Sequence, residues 1–150
     1  METIKKDIFK CKEDIICHQT NCLGVMGSGL AKQVKSKYPE VFNGYEYLCK
    51  TSLAKDLLGT ALICEANNGK YIANLFGQIN YGKVGQYTDY EALRSAFAEL
   101  KDFAKEHNLS IAIPYKIGCG TGGGKWREVL KIINEIFADY SAVSIYKKEK

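Results

Sequence analysis

The chain has 150 residues, of which 46% are hydrophobic and 25% charged, and its formal net charge is +4. That length fits one domain with a substantial core and needs no staples, and the composition is that of an ordinary globular protein. No apolar run approaches the roughly 20 residues that cross a bilayer, and the dispersed lysines read as a solvated face more than as a nucleic-acid surface.

Six cysteines are present, none in a C-x-x-C pair, and no apolar segment follows Met1. This pattern predicts reduced thiols in a cytoplasmic protein. Cys11, Cys17, Cys64 and Cys119 lie in or beside apolar runs, where a free cysteine behaves as a small hydrophobe. Cys17, His18 and Cys22 come nearest to a metal-ligand set, but their spacing is not that of a zinc site, and no metal is expected.

The alternation in residues 3–9, which ends in a turn and leaves Asp7 at a strand end, and the apolar run 14–19 predict two strands. Gly24, Gly27 and Gly29 then punctuate a loop, and a basic helix opens near Ser28 or Gly29 and closes at Tyr38-Pro39. Pro39 starts a second helix that runs through about Cys49. Residues 59–66 and 70–77 read as a hairpin turning at Asn67-Asn68-Gly69, followed by a polar, aromatic loop over 78–88. Thr88 or Asp89 caps a helix reaching about His107. A buried strand over 109–115 leads into a second glycine loop, residues 118–124. A helix over about 125–139 and a strand over 142–146 complete the chain.

Strands and helices alternate around a central hairpin. The prediction is an α/β fold, a three-layer α/β/α sandwich on a mixed sheet, with residues 1–150 forming one domain. In such sheets a ligand sits beyond the carboxyl ends of the strands, where both glycine loops fall. A helix opening out of a glycine loop turns free N–H groups toward an anion. Two such loops predict a ligand with more than one phosphate held between them.

The order and spacing of these segments resemble the macrodomain family, whose members bind ADP-ribose. Lys6-Asp7-Ile8-Phe9 is similar to the family's early aspartate motif, Cys17 to Ala31 to its first loop, and Ile117-Gly118-Cys119-Gly120 to its second. The first loop is most similar to the branch holding terminal ADP-ribose protein glycohydrolase, DNA ADP-ribosyl glycohydrolases and ADP-ribose 1″-phosphate phosphatases.

The resemblance implies that Asp7, with the Ile8 backbone, reads the adenine amino group and that Tyr146 packs on the adenine ring. It puts Asn21 at the distal ribose, with Val25, Gly27, Ser28, Gly29 and Leu30 wrapping that ribose and the diphosphate. Ile117, Gly118, Cys119, Gly120, Thr121 and Gly122 would hold the diphosphate from the other side. In the glycohydrolases of this branch a lysine attacks the distal ribose and an aspartate assists. Here Gln78 stands at or next to the lysine position and Gly122 at the aspartate position, and neither forms a Schiff base or takes a proton at neutral pH. Lys83 is the nearby lysine that could substitute.

Asn21, His18 and Gln78 are therefore the expected catalytic residues, with Tyr81 and Asp89 as further polar groups able to orient water. Cys119 lies near helix N-terminal dipoles that would lower its thiol pKa, although a filler role suits it better. The function implied is binding of ADP-ribose and hydrolysis of a group from its distal ribose, as an ADP-ribose 1″-phosphate phosphatase or a mono-ADP-ribosyl hydrolase. The alternative is a non-catalytic reader of ADP-ribose or a related nucleotide. No cofactor is expected, and the expected partner of this monomer is ADP-ribose or an ADP-ribosylated macromolecule, with nucleic acid entering only as a modified substrate.

Overall fold

The computed structural model describes residues 1–149. Six strands form one sheet: β1 (Glu2–Lys5), β2 (Ile15–Thr20), β3 (Ala61–Glu65), β4 (Tyr71–Phe76), β5 (Ile111–Pro114) and β6 (Val143–Lys147). Their order is β1-β6-β5-β2-β4-β3, and only the β3–β4 hairpin is antiparallel. The helices are α1 (Gly29–Lys37), α2 (Pro39–Thr51), α3 (Ala54–Leu57), α4 (Tyr90–His107) and α5 (Trp126–Ile136).

Period-two alternation sends neighbouring strand residues to opposite faces, and each face has its own core. Ile15, Cys17, Ala73 and Leu75 pack with Leu93 and Phe97 of α4 and with Val129 and Ile133 of α5. Ile16, Ile72 and Phe76 pack with Val34 of α1 and with Val41, Phe42 and Tyr45 of α2. Helices thus cover both faces of a mixed sheet, as the alternation of elements predicts.

The helix ends follow from local chemistry. Asp89, rather than Thr88, is the cap of α4: its carboxylate accepts from Ala92 N at 3.0 Å. That helix stops at Asn108, which takes the left-handed conformation at φ 55°. Pro39 sits in the first turn of α2, where its missing N–H costs nothing.

Three expectations shift. The first strand ends at Lys5, two residues before the expected Asp7, and the turn that follows is a single 3-10 turn, Ile8–Lys10, in which Asp7 accepts from Phe9 N at 3.0 Å. The short helix α3 carries no pattern long enough to be read from sequence. The last helix ends at Ile136 rather than near Asp139, whose carboxylate instead pairs with Lys101 at 2.9 Å and Lys105 at 3.3 Å.

Candidate functional site

The parallel strands β1, β6, β5, β2 and β4 all end at one edge of the sheet, and the two glycine loops leave from there. Between them lies a cleft of about 640 Å³, a size typical of small-molecule sites. One wall is the first loop and the start of α1. Opposite it stands the second loop, while the loop after β4 closes the end with Tyr81, Gly82 and Lys83.

The start of α1 is built to face an anion. Its own ladder begins with Lys32 N donating to Ser28 O at 3.2 Å, so the N–H groups of Gly29, Leu30 and Ala31 lack helical acceptors. No side chain caps them and no acidic residue occupies the first turn. All three residues line the cleft. Across from them Gly120, Thr121 and Gly122 also line it, and their N–H groups find no protein acceptor among the described residues. The charged side chains in the lining are Lys83 and Lys116, both cationic. Two rows of free N–H groups and two lysines make a cradle for a diphosphate.

The first loop is shaped by Asn21. Its Oδ1 accepts from Leu23 N at 3.0 Å and Val25 N at 3.4 Å, and its Nδ2 donates to Val25 O at 2.8 Å. The hydroxyl of the fully buried Tyr45 lies 2.8 Å from Asn21 O and 2.9 Å from its Oδ1. With its acceptor spent on the loop, Asn21 keeps one amide hydrogen for a ligand.

His18 lines the floor and is 1% exposed. Its Nε2 lies 2.7 Å from Asn74 Oδ1, while Asn74 Nδ2 donates to Leu62 O at 3.0 Å. Because Leu62 O can only accept, the Asn74 amide is fixed with its oxygen toward the ring, and His18 Nε2 must carry the proton. That leaves Nδ1 as a bare lone pair, buried and unpartnered. Burial holds the His18 pKa down to about 4, against a smaller upward pull from Asn74, so the ring is neutral at pH 7.

In the cleft wall, Gln19 joins three segments. Its Nε2 donates to Gln78 Oε1 at 2.6 Å and to Thr88 Oγ1 at 2.8 Å, and the Thr88 hydroxyl donates to Gly118 O at 2.7 Å. This cluster occupies the volume beside Gly122. A Cβ there would lie 2.6 Å from Thr88 Oγ1, 2.8 Å from Gly118 O and 3.1 Å from Gln19 Nε2. Position 122 therefore has no room for a carboxylate-bearing side chain.

Of the residues expected from sequence, the cleft brings together His18, Asn21, Val25, Gly27, Ser28, Gly29 and Leu30 with Gln78, Ile117, Gly118, Gly120, Thr121 and Gly122. Asp7, Ile8, Cys119 and Tyr146 lie outside its lining. Asp7 is engaged as the cap described above, and Ile8 belongs to the core at 6% exposure. Tyr146 is buried, and its hydroxyl donates to Glu13 Oε1 at 2.5 Å. The aromatic residue that borders the cleft near this end is Tyr115, with Lys147 Nζ 4.6 Å from its ring centroid and Trp126 edge-on at 5.1 Å.

The Cys119 thiol takes the filler role preferred for it over an activated one. Its Sγ turns to Ile117 O at 3.4 Å, and burial raises its pKa, with Lys116 only partly opposing. It is a filler. Asp89 is spent on the α4 cap and does not line the cleft. Gln19, Thr88, Tyr115 and Lys116 escaped sequence reasoning. Gln19 carries the one signal that could have found it, a polar residue in a buried strand two positions before Asn21.

The Macro domain family model matches residues 17–133. Among curated proteins, the chain is 28% identical to a DNA ADP-ribosyl glycohydrolase of Mycobacterium bovis, with 82% of this chain and 34% of that protein covered. It thus spans about a third of that relative's length. It is 27% identical to an ADP-ribose 1″-phosphate phosphatase of Saccharomyces cerevisiae, over 92% of this chain and 93% of that one. Among solved structures, the macrodomain of Mycobacterium tuberculosis DarG superposes with a TM-score of 0.81 at 25% identity, covering 99% of this chain and 97% of the other.

Proposed function

The chain belongs to the Macro domain family, and from that premise we propose that it binds ADP-ribose and hydrolyses a group from the distal ribose. The substrate is a phosphate ester or acyl ester at that ribose, as in ADP-ribose 1″-phosphate or a mono-ADP-ribosylated macromolecule. The observation that carries this reading is the pair of facing N–H rows, from Gly29 to Ala31 and from Gly120 to Gly122, in a cleft whose charged side chains are both lysines. It acts as a single cytoplasmic domain and a monomer.

With the diphosphate between the loops, the distal ribose lies toward Asn21, His18 and Gln78. His18 Nδ1 is the unpartnered lone pair on the cleft floor, and because burial holds the ring pKa down to about 4 it can accept a hydrogen bond while staying neutral. For a phosphate ester, a water oxygen bonds to phosphorus as the bond from phosphorus to the C1″ oxygen breaks. The proton lost by water ends on the departing C1″ oxygen, leaving ADP-ribose and inorganic phosphate. A lysine-dependent glycosidic cleavage would have to use Lys83, which lines the cleft, since Gln78 is an amide and Gly122 is walled in.

Calorimetry with ADP-ribose tests the ligand: binding in the micromolar range is expected, and folded protein that takes up no ADP-ribose rules out the reading. A second reading, a non-catalytic reader, is favoured by the amide at Gln78. Incubation with ADP-ribose 1″-phosphate and with mono-ADP-ribosylated protein or DNA separates the two, because turnover above that of a Gly27→Glu control requires an enzyme.

A further inference from the structure

The Gln19 network has a direction, and both of its ends are fixed. Gln78 Nε2 lies 2.7 Å from Asn80 O, a carbonyl that can only accept, so the Gln78 amide must present nitrogen there and oxygen toward Gln19. At the other end Gly118 O can only accept, so the Thr88 hydroxyl proton points to it and its oxygen accepts from Gln19. Both hydrogens of Gln19 Nε2 are thereby spent, one on Gln78 Oε1 and one on Thr88 Oγ1. Gln19 itself cannot turn over without breaking both contacts. Its Oε1 is buried against the backbone of Gly77 and Gly118 with no hydrogen-bond donor.

The consequence falls on Gln78, which lines the cleft at 8% exposure. Its oxygen is turned to Gln19 and one amide hydrogen is spent on Asn80 O, so the hydrogen it has left to offer a ligand is its second N–H. A glutamine is ordinarily ambivalent, able to donate or accept. Here the backbone carbonyls of two loops remove the choice.

We propose that Gln19, anchored by Thr88, is a positioning residue that fixes Gln78 as a hydrogen-bond donor, and that the distal end of the cleft therefore selects ligands whose terminal group carries proton-free oxygens, such as a phosphate monoester. This rests on the reading of the cleft as an ADP-ribose site. An N–H donor gains more from an oxyanion than from a hydroxyl, because hydrogen bonds with one charged partner are roughly twice as strong as neutral ones. The fixed amide meets that oxyanion without reorienting, which keeps the ordering cost of binding low.

The test compares ADP-ribose with a hydrolysis-resistant 1″-phosphonate analogue by calorimetry, in the wild-type protein and in Gln19→Met, which keeps the bulk and removes both donors. The expected result is a loss of about tenfold for the phosphonate, the size of one hydrogen bond to a charged group, with ADP-ribose affinity held within about threefold. Equal changes for the two ligands, or none, would overturn the proposal. Side-chain amide exchange by NMR gives an answer that needs no ligand. The Gln78 amide hydrogen bonded to Asn80 O is expected to exchange slowly in the wild type and quickly in Gln19→Met with the backbone spectrum preserved. Protection that persists in the variant overturns the positioning role, whereas wild-type protein that binds neither ligand counts against the ADP-ribose reading alone. Should Gln19→Met fail to fold, Thr88→Val removes the anchor instead, and the same selective loss for the phosphonate, about threefold, is expected; an unselective loss counts against the proposal.

Discussion

His18 and Asn74 face each other across the β2–β4 ladder as register partners, and the 2.7 Å contact between His18 Nε2 and Asn74 Oδ1 fixes which ring nitrogen carries the proton. Parallel pairing places them side by side, and the antiparallel neighbour β3 supplies the carbonyl of Leu62 that orients the Asn74 amide. Three strands therefore determine one tautomer. The fold has put a neutral imidazole on the floor of an anion cradle, with its free lone pair on Nδ1.

That arrangement makes stability depend on pH. With the folded pKa held down to about 4 and an unfolded value of about 6.5, the unfolded chain binds more protons between those limits. Stability is therefore present in full above about pH 6.5 and is lost as the pH falls toward 4. From pH 7 to pH 5 the His18 share of this loss is about 2 kcal/mol. Denaturant unfolding of wild type and His18→Gln at the two pH values measures it. The variant should lose about 2 kcal/mol less than wild type over this interval, and parallel losses would show that His18 is not held neutral.

Gly122→Ala is expected to destabilise the fold by about 1–3 kcal/mol, the usual cost of inserting atoms into a packed site. The added Cβ meets Thr88 Oγ1, Gly118 O and Gln19 Nε2, all three of which belong to one hydrogen-bond network. Thermal unfolding gives the stability change. Gly120→Ala is the control, since nothing lies within 4 Å of its Cβ position, and it should unfold within about 0.5 kcal/mol of the wild type.

The frame of this site was legible in the sequence because its signals are local. Glycine loops after apolar strands, Pro39 at a helix start and Asn-Gly at a hairpin each act through the backbone within a few residues. The polar wiring was not legible, because it joins residues far apart in the chain. Gln19 and Thr88 are 69 positions apart, and His18 and Asn74 are 56 apart. Tyr146 shows the same limit from the other side. The family resemblance implies a ring for the adenine to pack on at this position, yet nothing nearby in sequence announces Glu13, 133 positions away, as the partner of its hydroxyl.

Tyr146→Phe separates a structural role from a ligand role. Glu13 is 4% exposed and loses its hydroxyl donor in this variant. A buried carboxyl left without that bond should cost about 1–3 kcal/mol of stability. Because Tyr146 lies outside the cleft lining, ADP-ribose affinity of the folded variant should stay within about twofold. Chemical denaturation and calorimetry on the same preparation test both halves. A large loss of affinity with unchanged stability would return Tyr146 to the ligand.

Gly27→Glu should do the reverse and remove binding while sparing the fold. Gly27 is exposed, its backbone does not require glycine, and a Cβ there would meet only Val25 Cγ1, at an ordinary 3.6 Å. Stability is therefore expected within about 0.5 kcal/mol of the wild type. The new side chain projects from the cleft wall beside the uncapped start of α1 and carries a negative charge into the space where a diphosphate is expected. Bulk and repulsion act together there, so ADP-ribose affinity should fall by about a hundredfold or more, the effect of a few kcal/mol. Gly27→Lys divides the two causes. It has similar length and the opposite charge, so it should recover part of the lost affinity if repulsion dominates and none if the loop is simply blocked. Calorimetry of both variants at two salt concentrations completes the measurement, because the electrostatic share weakens as the ionic strength rises.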